Sequence, residues 1–314
     1  MDINNIFGGQ IYKLKNNDTF KSLVKSFYKA CLTQQDLCNT WIILILATAI
    51  NQGVIDGKNL EFGDKTITNT NAGDIAHGLC IQYDNLKNND AFKSLIQDFL
   101  TKVNDNKFIN DKTRGDIGYL LEQVIINKDS FGIDDTILTS LVEKVCPREK
   151  GTIKKATSGA IACLTAAIKQ GLINDKNLAF DAGVIPDTDA VDIAKKLTNL
   201  IDNNSDLKGN ETFKSLVKSF YNKCLTQKDL LSKYNVINVI IPDLAAAIKQ
   251  GVIDGEDLKF EKNAIYQYNV NDIAKKLTDL INEKNSGLKT NSTFKTIVKS
   301  FYKACLTQKD LLSK

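Results

Sequence analysis

The chain has 314 residues, 43% of them hydrophobic and 25% charged, and a formal net charge of +4. That is enough apolar material for a sizeable core. The balance is too mild for a dedicated nucleic-acid domain: residues 1–150 carry 17 basic and 19 acidic side chains, residues 151–314 carry 24 and 18.

Residues 1–17 form a lead-in. It lacks a basic stretch followed by an apolar run, so no secretory signal is expected. Ile6, Ile11, Tyr12 and Leu14 are available to cover the first repeat unit. From Asp18 the chain reads DTFKSLVKSFYKACLTQQDL, and it returns to this string as DAFKSLIQDFLTKV from Asp90, NETFKSLVKSFYNKCLTQKDLLSK from Asn210 and NSTFKTIVKSFYKACLTQKDLLSK from Asn291. Repetition this close implies stacked copies of one unit. In the first copy Phe20, Leu23, Val24, Phe27, Tyr28, Cys31 and Leu32 fall at helical spacing, which predicts one buried apolar stripe. Asp18 or Thr19 is expected to cap the helix start.

A second helix is predicted over Trp41 to Gln52, a buried apolar segment about half the length of a membrane span. Thr33-Gln34-Gln35-Asp36 reads as its capping-box-like start, and Gly53 ends it, as Gly171 and Gly251 end the later copies. A connector comes next, VIDGKNLEF, LINDKNLAF or VIDGEDLKF. Its Phe62, Phe180 or Phe260 precedes Ile67, Ile185 or Ile265 by five residues, with turn-forming residues between. This predicts a short β-hairpin or an extended plug on the helices. The third helix is expected from Asp74-Ile75, Asp116-Ile117, Asp192-Ile193 and Asp272-Ile273. In the last copy Pro242 is expected at the first turn of the second helix, where proline is tolerated.

The reading is therefore an all-α fold of tandem three-helix repeats, stacked as a solenoid-like or bundle array. Its units are residues 18–89, a short unit 90–134 without middle helix or connector, 135–209, 210–290, and a partial repeat or capping helix 291–314. Unit lengths and signature residues do not fit TPR, ankyrin or armadillo repeats.

Catalytic signals are sparse. His77 is the single histidine, with Cys80 one turn on and no Ser–His–Asp or Cys–His set nearby. It reads as a helix-face residue, and no catalytic residue is assigned. The seven cysteines, Cys31, Cys38, Cys80, Cys146, Cys163, Cys224 and Cys305, include no CxxC. They read as reduced thiols acting as small hydrophobes. The Asp56-Gly57 and Asp254-Gly255 turns resemble calcium loops, but Val54 and Val252 stand where a ligand is needed. No Walker loop or GxGxxG occurs, so neither metal nor cofactor is expected.

The one sharp binding signal is a lysine stripe on the first helices: Lys21, Lys25 and Lys29, then Lys214 and Lys218, then Lys295, Lys299 and Lys303. It reads either as a solvated face or as a strip for phosphates or an acidic partner. Scarce arginine and the lack of interleaved aromatics weigh against nucleic-acid stacking. The expected function is a non-enzymatic, soluble, cytoplasmic scaffold or protein-interaction module, its partner another protein. The alternatives are a binder of lipid headgroups, nucleic acid or an acidic filament, an effector delivered to a host cytosol by an AT-rich intracellular microbe, and an enzyme with a pocket between repeats. No integral membrane segment is expected.

Overall fold

A computed structural model describes residues 14–55, 60–105, 107–227, 229–255, 257–283 and 287–308. The lead-in residues Ile6, Ile11 and Tyr12 and the Asp56-Gly57 turn lie outside the described residues. The fold is all-α with a minor β element. Contacts divide the chain into two compact units, Met1–Val145 and Cys146–Lys314. The division falls inside the repeat read at 135–209. Among the described residues no helix is long and apolar enough to cross a membrane.

The first unit holds α1 (Asp18–Thr33), α2 (Thr40–Asn51), α3 (Ala72–Leu86), α4 (Asp90–Asp105), α5 (Arg114–Ile126), the single turn α6 (Lys128–Phe131) and α7 (Asp135–Val145). Helix α3 packs against both α2 and α5, and α5 packs on α7. The contact between α1 and α2 is slight by comparison. Arg114 makes the join to α7: its guanidinium donates to the carbonyls of Lys144 at 2.6 Å and Val145 at 2.8 Å. Those carbonyls close a helix C-terminus, where no intrahelical donor remains.

The second unit holds β1 (Arg148–Glu149), β2 (Thr152–Ile153), α8 (Ser158–Lys169), β3 (Ala179–Phe180), α9 (Asp187–Asn203), the turn α10 (Ser205–Lys208), α11 (Glu211–Thr226), α12 (Tyr234–Lys249), α13 (Val270–Asn282) and α14 (Ser292–Leu306). Second and third helices form a row, α8 on α9, α9 on α12 and α12 on α13, while α11 touches both α8 and α12 and α14 touches α12.

Helices α1, α4, α11 and α14 each start on an asparagine. The Oδ1 atoms of Asn17, Asn89, Asn210 and Asn291 accept from the amides of Phe20, Phe92, Phe213 and Phe294 at 3.0, 3.2, 2.9 and 2.9 Å. The cap is thus Asn17, not Asp18 or Thr19, because only the residue just outside the helix can turn its side chain back onto the free amides. Likewise Thr33 to Asp36 do not open α2. The linker makes one turn there, Leu37 and Cys38 both bonding back to the Gln34 carbonyl. Asn39 then caps α2, its Oδ1 accepting from Ile42 N at 3.2 Å. The second helices end as expected on Gly53, Gly171 and Gly251, at φ of 69°, 72° and 69°, a region where a Cβ is strained.

The connectors depart from a hairpin. Phe62 and Ile67, Phe180 and Ile185, and Phe260 and Ile265 are all at most 5% exposed. Both ends of each connector therefore plug the core, and among the described residues of the connectors only Ala179–Phe180 forms a strand, pairing in parallel with β2. The hairpin present is β1–β2, between first and second helices. Its two-residue loop, Lys150-Gly151, has φ of 50° and 81°, the left-handed pair that such turns require. A Cβ on Gly151 would also lie 2.9 Å from the Asn177 carbonyl.

Pro242 lies in the interior of α12, not at its first turn, since the helix begins at Tyr234. Val236, Ile237, Ile240 and Ile241 are buried ahead of it. Burying such side chains is worth roughly 1.5–3 kcal/mol each, more in sum than the roughly 3 kcal/mol that an interior proline costs. Replacing it should recover part of that cost. Pro242→Ala is expected to raise the unfolding free energy by about 1–3 kcal/mol in urea titrations; an unchanged or lower value would mean that packing around the ring outweighs the lost hydrogen bond.

Candidate functional site

The first helices share a face built from five positions. In α11 these are Thr212, Ser215, Leu216, Ser219 and Phe220, and α1 carries the same residue types in the same order at Thr19, Ser22, Leu23, Ser26 and Phe27. Their spacing of three, one, three and one places them on a single stripe.

On α11 this stripe receives the preceding connector. Thr212 Oγ1 lies 3.5 Å from Asn174 Oδ1, Ser215 Oγ donates to the Leu178 carbonyl at 3.0 Å, and Ser219 Oγ accepts from Phe180 N at 2.8 Å. The Phe180 ring meets Phe220 edge-on at 6.0 Å, and Phe220 meets Tyr221 at 5.1 Å. Helix α14 repeats the arrangement, with Phe260 N donating to Ser300 Oγ at 3.0 Å and Phe260 on Phe301 at 5.4 Å. Helix α4 does so with a carboxylate: Phe62 N donates to Asp98 Oδ2 at 2.6 Å, and Phe62 lies on Phe99 at 5.9 Å. The residue after the connector phenylalanine bonds backwards, Gly63 N to the Leu32 carbonyl and Glu261 N to the Leu225 carbonyl. Each of those two connectors thus staples the end of its own first helix to the middle of the next.

Helix α1 has the face without a connector among the described residues. Leu23 is 68% exposed and Phe27 55%, whereas Leu216 and Phe220 are fully buried. Thr19, Ser22 and Ser26 are exposed as well, and Phe20 and Val24 only half-buried. Tyr28, Cys31 and Leu32 alone are buried in this helix. The expectation of a fully buried stripe fails here because, among the described residues, no connector reaches Phe27. Trp41, expected in the core, is 61% exposed at the first turn of α2. Ile43, Leu46, Ala47 and Ile50 hold that helix instead.

The predicted lysines are not equivalent. Lys21 and Lys25 border a hollow of about 340 Å³ between α1 and Gly53–Ile55, and Lys29 is exposed beyond it. Lys214 pairs with Glu211 at 3.2 Å and Lys218 with Asp257 at 3.1 Å. The latter pair borders a second hollow, of about 280 Å³, beside Ser215 and Ser219. Lys295, Lys299 and Lys303 are all exposed on α14.

His77 Nδ1 lies 3.5 Å from Asp116 Oδ1, both side chains being substantially exposed. Burial pushes the Asp116 carboxyl up, and His77 partly opposes it. Cys80 is no candidate nucleophile: burial and then Glu122, Asp116 and Asp84 raise its thiol, the reverse of what a reactive thiolate needs. Burial likewise pushes the Cys38 thiol up to about 12. Val54 and Val252, at the calcium-like turns, are core residues at 4% and 1% exposure.

Two polar residues were not read from the sequence. Asn269, 1% exposed, donates to the carbonyls of Leu231 at 2.8 Å and Ala264 at 3.1 Å and accepts from Tyr266 N at 2.7 Å. Asn71 does the same work in the first unit, on Cys38, Thr66 and Thr68. Their recurrence just before the third helix was the available signal. The chain matches no family model, and no curated protein or solved structure matches it.

The contrast between equivalent phenylalanines can be measured. Phe220→Ala should cost about 3–5 kcal/mol of stability, and Phe27→Ala less than about 1 kcal/mol, by chemical denaturation of the full chain. A comparable loss at both sites would show that α1 is covered.

Proposed function

We propose that the protein is a non-enzymatic interaction or scaffold module that engages another protein through α1. One observation carries this reading: Leu23 and Phe27 stand in solvent on a helix whose counterparts bury the same side chains. Each such side chain forgoes roughly 1.5–3 kcal/mol while exposed, and clustered exposed hydrophobes mark contact surfaces. Exposed Trp41 in the neighbouring helix adds a residue type that dominates protein interfaces. The test is a photo-crosslinking residue in place of Phe27, with the same residue at exposed Tyr268 as control. It should yield one reproducible adduct, and the purified partner should bind Leu23→Asp at least about tenfold more weakly. Identical products from both positions would refute the reading.

A second reading, binding to an anionic surface, is favoured by the exposed row Lys295, Lys299 and Lys303 on α14. Such binding to anionic vesicles or a polyanion should weaken steeply between about 50 and 200 mM salt and fall when the three lysines become Glu. Salt-independent binding removes it.

A further inference from the structure

The chain shows three times over what its first-helix face accepts. The seated segments are Leu60-Glu61-Phe62 on α4, Leu178-Ala179-Phe180 on α11 and Leu258-Lys259-Phe260 on α14. In each the phenylalanine amide donates to the helix residue just before the receiving phenylalanine. On α11 a second hydroxyl, one turn earlier, donates to the leucine carbonyl. The backbone bonds of this segment to β2 run through the Ala179 and Asp181 amides, so these two side chains satisfy the Phe180 amide and the Leu178 carbonyl that burial would otherwise orphan. Helix α1 offers the same hydroxyls at Ser22 and Ser26, the same Leu23 and Phe27, and the same ring behind them: Phe27 meets Tyr28 at 5.2 Å as Phe220 meets Tyr221. Only the third ring is missing among the described residues.

The geometry points to an extended Leu-x-Phe segment of a partner protein as the occupant of α1. This deepens the interaction reading and rests on it. Residues 1–314 hold no spare segment of that kind. Their three Leu-x-Phe triplets are the three connectors, each already seated. Residues 1–13 contain no leucine, and residues 309–314 no phenylalanine. A second copy would bring the same three triplets in the same engaged state. The proposed source is a partner protein carrying a connector of this type unoccupied. Its phenylalanine lies edge-on against Phe27, with its amide on Ser26 and its leucine carbonyl on Ser22.

The probe is a fluorescein-labelled peptide of residues 172–185, LINDKNLAFDAGVI, titrated with the full-length chain and followed by anisotropy. Saturable binding is expected. It should weaken at least about tenfold when the peptide carries Phe180→Ala, and equally when the protein carries Phe27→Asp, a change at an exposed site whose folding is checked by circular dichroism. A change of tenfold corresponds to 1.4 kcal/mol. Absence of saturable binding to the wild-type chain, or binding indifferent to Phe27→Asp, overturns the proposal. So does a wild-type dimer in sedimentation that Phe27→Asp dissolves, because the occupant is then a second copy. Failure of the peptide with a surviving crosslink at position 27 removes the Leu-x-Phe chemistry and leaves the interaction reading standing.

Discussion

An extended strand crossing a helical core must dispose of its backbone polar groups, and this constraint shapes both compact units. Among the described residues of these connectors only Ala179–Phe180 joins a ladder, yet the leucine and phenylalanine of each connector belong in the core. The next first helix resolves the conflict with side chains one residue away from its apolar stripe: Ser219 and Ser300 accept the phenylalanine amide, and Asp98 does so in the short repeat. A buried amide left unpaired would cost about 1–3 kcal/mol, comparable to what burying the ring contributes. The hydrogen bond and the edge-on ring pair are therefore one device, and it ties a connector to the first helix that follows it inside each unit.

The same logic explains the polar residues that recur at the other end of the connector. Asn71 and Asn269 gather carbonyls from the first-to-second helix linker and from the connector, and accept a connector amide in return. An asparagine can do this because its amide both donates and accepts. Arg114 answers a similar need at the end of α7. These residues hold irregular segments in place, and the regular helices pack around them.

The proposed function rests on where the device is incomplete. Among the described residues three first helices carry a connector and α1 does not, so α1 presents a face like those that receive an extended apolar segment, with the same hydroxyls. Lysines flank both faces. Lys214 and Lys218 are drawn into ion pairs beside the occupied face of α11, and Lys21 and Lys25 border a hollow on α1. Exposed pairs of this kind contribute little to stability, so their consequence is for the local charge that a partner would meet.

Much of this was legible in the residues themselves. Helical periodicity located the first, second and third helices, and the glycines after the second helices marked their ends. The plug reading of the connectors came from Phe62, Phe180 and Phe260 and the isoleucines beyond them. Caps and proline placement were misread because they turn on single-residue offsets: Asn17 against Asp18, Asn39 against Thr33, and Pro242 in the interior of a longer α12. The first-helix sequence decides that a helix forms, and with which face apolar, because those properties depend on neighbours within one or two turns. It cannot decide whether that face is covered. DTFKSLVKSFYKACLT and ETFKSLVKSFYNKCLT form the same helix, yet Phe27 is 55% exposed and Phe220 not at all. The difference lies wholly in a connector that arrives from about forty residues upstream at one helix and, among the described residues, not at the other. Burial is a property of the assembled neighbours, and only the tertiary structure contains them.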